Sequence, residues 1–287
     1  MMANPITQPI VNAAHGGHAT GTADAQTMRA VLQYALRDIM RNRWMLAYLF
    51  GILATTEIMV RLTGSGARAL VGMLNLVLLV IPLVTVTFGV IYWHSTREFN
   101  ELLLAQPVRR RALWCGLYLG LVIPLVVAFV AGLMLPLLWH RAIDTETRPV
   151  LSAMLVAGVA LTAVFGALAM LIGTRIDDRL RSIGASLSVW LLMTALYDGA
   201  VLLVSTVYSD YPLERVMLAL TLANPVDLAR TLIVLQTDSA ALMGYTGAVV
   251  EQFLGSGIGI AVATAGLGVW IAVPAWLALR AFERRDF

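Results

Sequence analysis

Two acidic residues lie inside apolar runs of this sequence, where a charged side chain requires a compensating partner. Asp198 lies in the middle of one such run, and Glu57 lies toward the end of another. A carboxylate at the centre of a bilayer costs about 2.5 to 3.5 kcal/mol on insertion scales and usually faces protein or a cavity. Asp198 therefore has two interpretations. It is a residue of a dimer interface or transport pathway, or it is a protonated or hydrogen-bonded residue of helix packing.

The sequence argues against catalysis within this chain. All 20 basic residues are arginine, which excludes a phosphate-binding P-loop and a Schiff-base lysine. No HExxH motif is present, and Asp198 and Glu57 lie in different apolar runs at different predicted depths, so an intramembrane acid pair is not expected. We predict a non-catalytic chain in which any ATP is bound elsewhere.

Metal and nucleic-acid sites are not expected either. Cys115 is the single cysteine, and His15 and His18 form a lone HGGH pair, whereas a structural metal site generally needs about four ligands. Most of the 13 methionines stand singly within apolar runs, where packing explains them. The arginines cluster beside those runs, as membrane topology signals do. We therefore predict no cofactor, no metal and no nucleic acid for this chain.

The elements that position these residues are membrane helices. Of 287 residues, 59% are hydrophobic and 13% are charged, whereas a globular protein is about one quarter charged. Each apolar run has roughly the 20 residues that a helix needs to cross the bilayer. The sequence predicts an all-α membrane protein with six transmembrane helices, at residues 44–62, 70–93, 112–139, 151–173, 183–207 and 257–279.

Arginine counts predict the orientation. If the N-terminus is inside, 14 arginines lie on the cytoplasmic side of the six runs and six lie on the other side. The positive-inside rule then places both termini in the cytoplasm. Residues 1–27 are predicted to be a flexible cytoplasmic tail. Residues 28–43 follow helical spacing with arginines on the polar side, which predicts an amphipathic helix lying in the membrane interface.

The connection at 208–256 is too long for a turn and too apolar for a disordered loop. Its pattern predicts a helix over 212–222, then a second helix capped by Asn224 with Pro225 at its first position and Asp227 in its first turn. A further short helix is predicted over 247–254. We expect these helices to lie on the outer leaflet or to dip partly into it. Further crossings would require buried partners for their charged residues.

A polar segment, REFNELLLAQPVRRRALW, interrupts the apolar pattern between the second and third runs. Strong helix formers occupy 97–106, Pro107 ends them, and arginines follow at 109–111. These residues predict a short helix parallel to the membrane, whereas the spacing alone slightly favours an ordinary loop with topology-setting arginines. The whole connection, 94–111, is cytoplasmic in the predicted orientation.

This segment resembles the first cytoplasmic loop of permeases in the ABC-2 exporter family. The acidic positions match Glu98 and Glu101, the proline matches Pro107, and the basic position matches Arg110. The usual glycine–threonine pair is absent, since Asn100 and Glu101 stand there. The stretches RNRW at 41–44, LYDGAVLL at 196–203 and ANPVDLARTLIVLQTDSAALMGYTGA at 223–248 are similar to the permeases that serve copper-site maturation of nitrous oxide reductase.

The resemblance implies a homodimer in the bacterial inner membrane, with residues 28–287 as one transmembrane domain. It implies a separate cytoplasmic ATPase that binds ATP and Mg, and a periplasmic β-helical copper-handling protein. The residues implied in ATPase coupling are Arg97, Glu98, Glu101, Leu102, Pro107 and Arg110. Those implied in contact with the periplasmic partner are Asn224, Pro225, Asp227, Arg230 and Tyr245. An exporter of a lipid, drug or other small hydrophobic cargo is the alternative function, and a membrane anchor without transport is a third.

Overall fold

The computed structural model describes residue 32 and residues 43–97, 109–208, 214–237 and 257–284. The elements within these ranges are α-helices and one π-helical turn. They are α1 Arg43–Thr63, α2 Gly66–Ser95, α3 Arg110–Trp139, α4 Thr147–Arg175, α5 Arg179–Leu191, the π-turn Leu192–Leu196, α6 Tyr197–Val207, α7 Glu214–Leu222, α8 Pro225–Val234 and α9 Gly257–Glu283. The predicted all-α class is confirmed.

Within these ranges, six helices are long and apolar enough to cross a membrane. They are α1, α2, α3, α4, the continuous unit α5–π-turn–α6, and α9. Their lengths of 21 to 30 residues correspond to about 32 to 45 Å at 1.5 Å per residue, which exceeds the hydrocarbon thickness. The six predicted spans are therefore confirmed. Several helices begin a few residues earlier than predicted, because polar residues at their ends still form helix outside the apolar core.

Successive spans run in opposite directions and define two faces of the bundle. At the arginine-rich face α1 begins and α9 ends, and Arg97, Arg110, Arg175 and Arg280 lie at its helix ends. The opposite face contains the α1–α2 turn and the α3–α4 loop. Gly64 makes that first turn with a φ of 63°, a conformation that glycine adopts without a Cβ penalty.

The core is centred on α4, whereas the fifth span is peripheral. In its most apolar window α4 is 61% buried, whereas the fifth span is only 6% buried. Small residues allow neighbouring helices to approach α4 closely. At Gly158, a Cβ atom would lie 2.3 Å from the Phe129 ring of α3, and at Gly89 of α2 it would lie 2.6 Å from Ala169 of α4. The sequence places glycine where helix backbones and large side chains meet.

Some predictions fall outside the described residues and remain predictions. They include the tail at 1–27, most of the amphipathic helix at 28–43, and the short helix at 247–254. The same holds for the predicted site residues Glu98, Glu101, Leu102, Pro107 and Tyr245.

Candidate functional site

Helices α7 and α8 form a sharply bent pair between the fifth and sixth spans. Their axes differ by 106° across a short break, as in a re-entrant hairpin or a broken span. Asn224 caps α8, since its Oδ1 accepts a hydrogen bond from the Val226 N–H at 2.9 Å, and Pro225 follows at the first helical turn. The predicted cap, proline position and helix are confirmed. We refer to α7 and α8 together as the hairpin.

Helix α8 of the hairpin is packed inside the subunit, whereas Val216 and Leu222 of α7 are exposed. The neighbours of α8 are α4, α9 and α2. Leu228 and Leu232 lie in a common apolar cluster with Ala263 and Leu267 of α9. Eight of the ten residues of α8 are buried: Pro225, Val226, Leu228, Ala229, Thr231, Leu232, Ile233 and Val234. Of the two predicted placements, insertion describes α8 and a position on the surface does not.

The tip of the hairpin is hydrogen-bonded to the π-turn of the fifth span. The π-turn replaces the usual spacing with a bond from the Tyr197 N–H to the Leu192 carbonyl. Such turns occur frequently at functional sites. Three side chains hold the tip: Asn224 Nδ2 donates to the Met193 carbonyl at 2.7 Å, Tyr197 Oη donates to the Leu220 carbonyl at 2.6 Å, and Trp270 Nε1 donates to the Leu222 carbonyl at 3.2 Å.

One arginine of α8 joins two carboxylates. Arg230 contacts Asp198 of α6 through two bonds, Nη2–Oδ2 at 2.8 Å and Nη1–Oδ1 at 3.1 Å, and it contacts Asp227 Oδ1 at 3.0 Å. Bidentate arginine–carboxylate pairs are among the strongest hydrogen-bonded contacts. The side chains of Asp198, Arg230 and Asp227 retain 39%, 27% and 13% exposure, so solvent screens the cluster only in part. We call these three residues the carboxylate–arginine cluster.

In the structure the Asp198 carboxylate bonds to Arg230 of α8 and so joins the fifth span to the hairpin, as the packing interpretation expects. The Asp198 side chain keeps 39% exposure, and a role at a dimer interface or transport pathway remains a prediction. The four described residues implied in partner contact also point inward rather than outward. Asn224 is 1% exposed, Pro225 is buried, and Arg230 bonds to both Asp227 and Asp198. Helix α8 packs within its own subunit, where Arg230 forms ion pairs with Asp198 and Asp227.

Glu57 belongs to a separate ionic group at the opposite face. Its Oε1 lies 2.6 Å from Arg61 Nε on the same helix and 2.9 Å from His140 Nε2 at the end of α3. The two intramembrane carboxylates predicted from the sequence therefore occupy different networks. Glu57 ties the first span to the third.

A second polar network surrounds the predicted coupling segment at the arginine-rich face. Arg97, at the end of the second span, lies 3.5 Å from Asp177 in the turn between α4 and α5. On the far side of the segment, Arg110 donates to the Glu283 carbonyl at 2.9 Å and Arg111 Nε lies 2.6 Å from Glu283 Oε1. Both ends of the connection are thus bonded to other spans. Arg97 and Arg110 are the two predicted coupling residues that the structure describes.

Sequence reasoning did not identify several side chains that form hydrogen bonds in these networks. Ser182 lies 2.9 Å from His94 across the arginine-rich face, and Tyr197 and Trp270 hold the hairpin tip. A single signal pointed to the cluster: a charged helix placed beside apolar spans requires buried partners. Nothing in the spacing identified the partner.

Comparison with known proteins identifies the fold that carries these networks. The model of the ABC-2 family transporter protein matches residues 77–287, which include most of the second span, the four later spans and the hairpin. The chain belongs to the ABC-2 transporter family. This permease is 26% identical over 267 residues to the probable ABC transporter permease protein NosY of Pseudomonas aeruginosa, covering 87% of this chain and 95% of that protein. It is 25% identical over 269 residues to the probable ABC transporter permease protein NosY of Stutzerimonas stutzeri, with the same coverage.

Membership in the family indicates what kind of protein contains both networks. The chain is a multi-pass ABC-2 permease, and the family implies an ATPase partner. Permease subunits of this type are generally non-catalytic.

Proposed function

We propose that this permease couples ATP hydrolysis by a separate cytoplasmic ATPase to maturation of the copper centres of nitrous oxide reductase on the periplasmic side. Similarity to two permeases called NosY supports the biological setting. The observation that carries the coupling proposal is the set of ion pairs at both ends of the 98–108 segment. Arg97 joins Asp177, and Arg111 joins Glu283. A force on the segment would therefore act on the neighbouring ends of α4, α5 and α9.

The packing of the bundle provides a route from that face to the hairpin. Asp177 follows α4 directly, and α4 packs along α8. Close-packed helices transmit displacement because their interiors have low compressibility. Movement of α4 relative to the fifth span then changes the geometry of the Arg230–Asp198 pair. The proposed output is a shift of the hairpin toward the opposite face, where a periplasmic partner would respond to it.

Reversing the predicted acidic surface tests the coupling proposal. We expect Glu98→Arg combined with Glu101→Arg to weaken co-purification with the ATPase at least about tenfold, since like charges placed against each other at an interface cost several kcal/mol. Stimulated ATPase activity should fall with it. The matched control is Glu146→Arg, an exposed glutamate at the opposite face. Unchanged association in the double variant would count against the coupling surface.

The proposed orientation has a direct labelling test. In a Cys115→Ser background, single cysteines are introduced as Asn100→Cys and Thr145→Cys, which lie in connections on different faces. A membrane-impermeant maleimide added to intact spheroplasts should label the Thr145→Cys variant and leave the Asn100→Cys variant unlabelled. Permeabilisation should then expose the second site. Labelling of the Asn100→Cys variant in intact spheroplasts would reverse the orientation and remove the proposed ATPase site.

A homodimer is the proposed assembly. The fifth span buries only 6% of its most apolar window within the subunit, and its exposed side includes Leu187, Leu191, Leu202 and Leu203. This face has little packing of its own, so a second copy or lipid must cover it. Crosslinking of the Leu191→Cys variant in the Cys115→Ser background would detect the symmetric contact.

A lateral groove favours export of a hydrophobic cargo as the second candidate function. It measures about 810 Å³ and lies between α1, α2 and α5, with Arg179 at its arginine-rich end. Tyr48 and Thr87 line the groove. Their hydroxyl groups are buried and have no hydrogen-bond partner among the described residues. Copper content of nitrous oxide reductase in a strain lacking the permease separates the candidates: the maturation proposal requires a loss that the wild-type gene restores.

A further inference from the structure

A cationic pocket separate from the hairpin and the groove opens at the arginine-rich face. It measures about 510 Å³ and lies between the end of α4 and the end of α9. Arg175 comes from one helix, and Arg280 and Arg284 come from the other. The ends of two adjacent spans thus contribute three arginines to the lining of one cavity at the arginine-rich face.

The pocket keeps an excess of positive charge. Asp177 is its only acidic lining residue among those described, and it lies 3.5 Å from Arg97 outside the lining. Glu283, which neighbours Arg284 in sequence, bonds to Arg111 at 2.6 Å. The acidic side chains close to the pocket are therefore engaged by other arginines. An anionic ligand is the group that this charge distribution selects.

The pocket also has an apolar, aromatic wall. The Cζ atom of Arg280 lies 3.8 Å from the centroid of the Trp276 ring, one helical turn away. The tryptophan is 49% exposed, as in the aromatic belts of membrane interfaces. Further along α9, Val273 and Val269 are 49% and 60% exposed on the lipid side. The anion site therefore continues into a surface suited to acyl chains.

We propose that this pocket binds the headgroup of an anionic phospholipid. The phosphodiester would bond to Arg175 on the fourth span and to Arg280 and Arg284 on the sixth. Its acyl chains would lie along α9. Basic pockets between transmembrane helices bind such headgroups because arginine matches phosphate geometry bidentately. The lipid then bridges two spans whose neighbouring loops bond to the proposed coupling segment, and its binding requires no ATPase.

The test titrates the purified full-length permease, in a zwitterionic detergent, with dioleoyl-phosphatidylglycerol and measures bound lipid by native mass spectrometry. Arg280→Gln combined with Arg284→Gln should weaken binding about 25-fold, at about fivefold per cationic side chain. Arg280→Lys combined with Arg284→Lys should weaken binding less than the glutamine pair does, because lysine keeps the charge but loses the bidentate geometry. The matched control, Arg68→Gln with Arg148→Gln, removes two exposed arginines from the opposite face and should leave the affinity unchanged.

Three outcomes would overturn the proposal. Equal weakening in the control pair would mean that net charge alone attracts the lipid. Equal binding of dioleoyl-phosphatidylcholine would remove the requirement for an anion. Competition by millimolar inorganic phosphate that abolishes phosphatidylglycerol binding would identify a free-anion site instead of a lipid site. Thermal unfolding of each variant without lipid verifies folding, and a coupling defect with normal lipid binding would concern the proposed function alone.

Discussion

Replacing Arg230 with methionine is expected to destabilise the permease by about 3 kcal/mol. This is the lower end of the cost of breaking a buried ion pair by removing one partner, because Arg230 retains 27% exposure. The variant leaves Asp198 and Asp227 near each other without their cation. Unfolding in detergent micelles, followed by helical circular dichroism against denaturant, measures the change.

Two comparisons separate the cluster from general charge effects. Arg68→Met removes an arginine at the opposite face and should stay within about 0.5 kcal/mol of wild type. Asp198→Asn keeps an acceptor for Arg230 and should cost less than Arg230→Met while impairing function. Adding Asp198→Asn to the Arg230→Met variant should recover part of the loss, since one unpaired carboxylate is removed. Wild-type stability of the Arg230→Met variant would mean that the cluster does not dock the hairpin.

Overpacking at Gly173 is expected to have the second large effect. A Cβ atom at this position of α4 would lie 2.5 Å from Trp93 Cδ1 and 3.0 Å from Trp93 Cβ of α2. The indole must therefore move, and it also packs edge-to-face on Phe282 of α9 with ring centroids 5.8 Å apart. Gly173→Val should destabilise by about 1 to 3 kcal/mol, the usual cost of inserting carbon into a packed core. Chemical unfolding in micelles measures it.

Gly184→Val is the matched control for this substitution. Gly184 is also helical, near the arginine-rich face, but no atom lies within 4 Å of a Cβ built there. The two variants share the change in helix propensity and differ in packing. If both unfold at the same denaturant concentration, the contact between the second and fourth spans is looser than its geometry implies. A larger loss at Gly173 supports its role in joining three spans.

Local sequence determined the secondary elements of this permease. A run of about 20 apolar residues suffices to define a crossing, and all six runs became helices. The start of α8 was equally local, because Asn224 bonds to an N–H two residues away and Pro225 fixes the backbone at the first turn. Each signal lies within a few residues of the structure that it specifies.

The sites depended on contacts between distant segments. Asp198 meets Arg230 across 32 positions, and Asn224 reaches the Met193 carbonyl across 31. Neither spacing is periodic, so neither pair was recognisable before the helices were placed. Asn224 and Pro225, which suggested an external contact surface, are buried in the subunit.

The amino-acid sequence by itself determined that this chain is a membrane protein, where its six spans lie, and that Asn224 caps α8. These follow from hydrophobicity and from backbone hydrogen bonds within a few residues. Only the tertiary structure decided that the hairpin inserts beside α4, that Arg230 joins two aspartates, and that Arg97 and Arg111 bond to other spans. Electrostatic and packing energies depend on distance in space, and that distance is set by how the helices assemble.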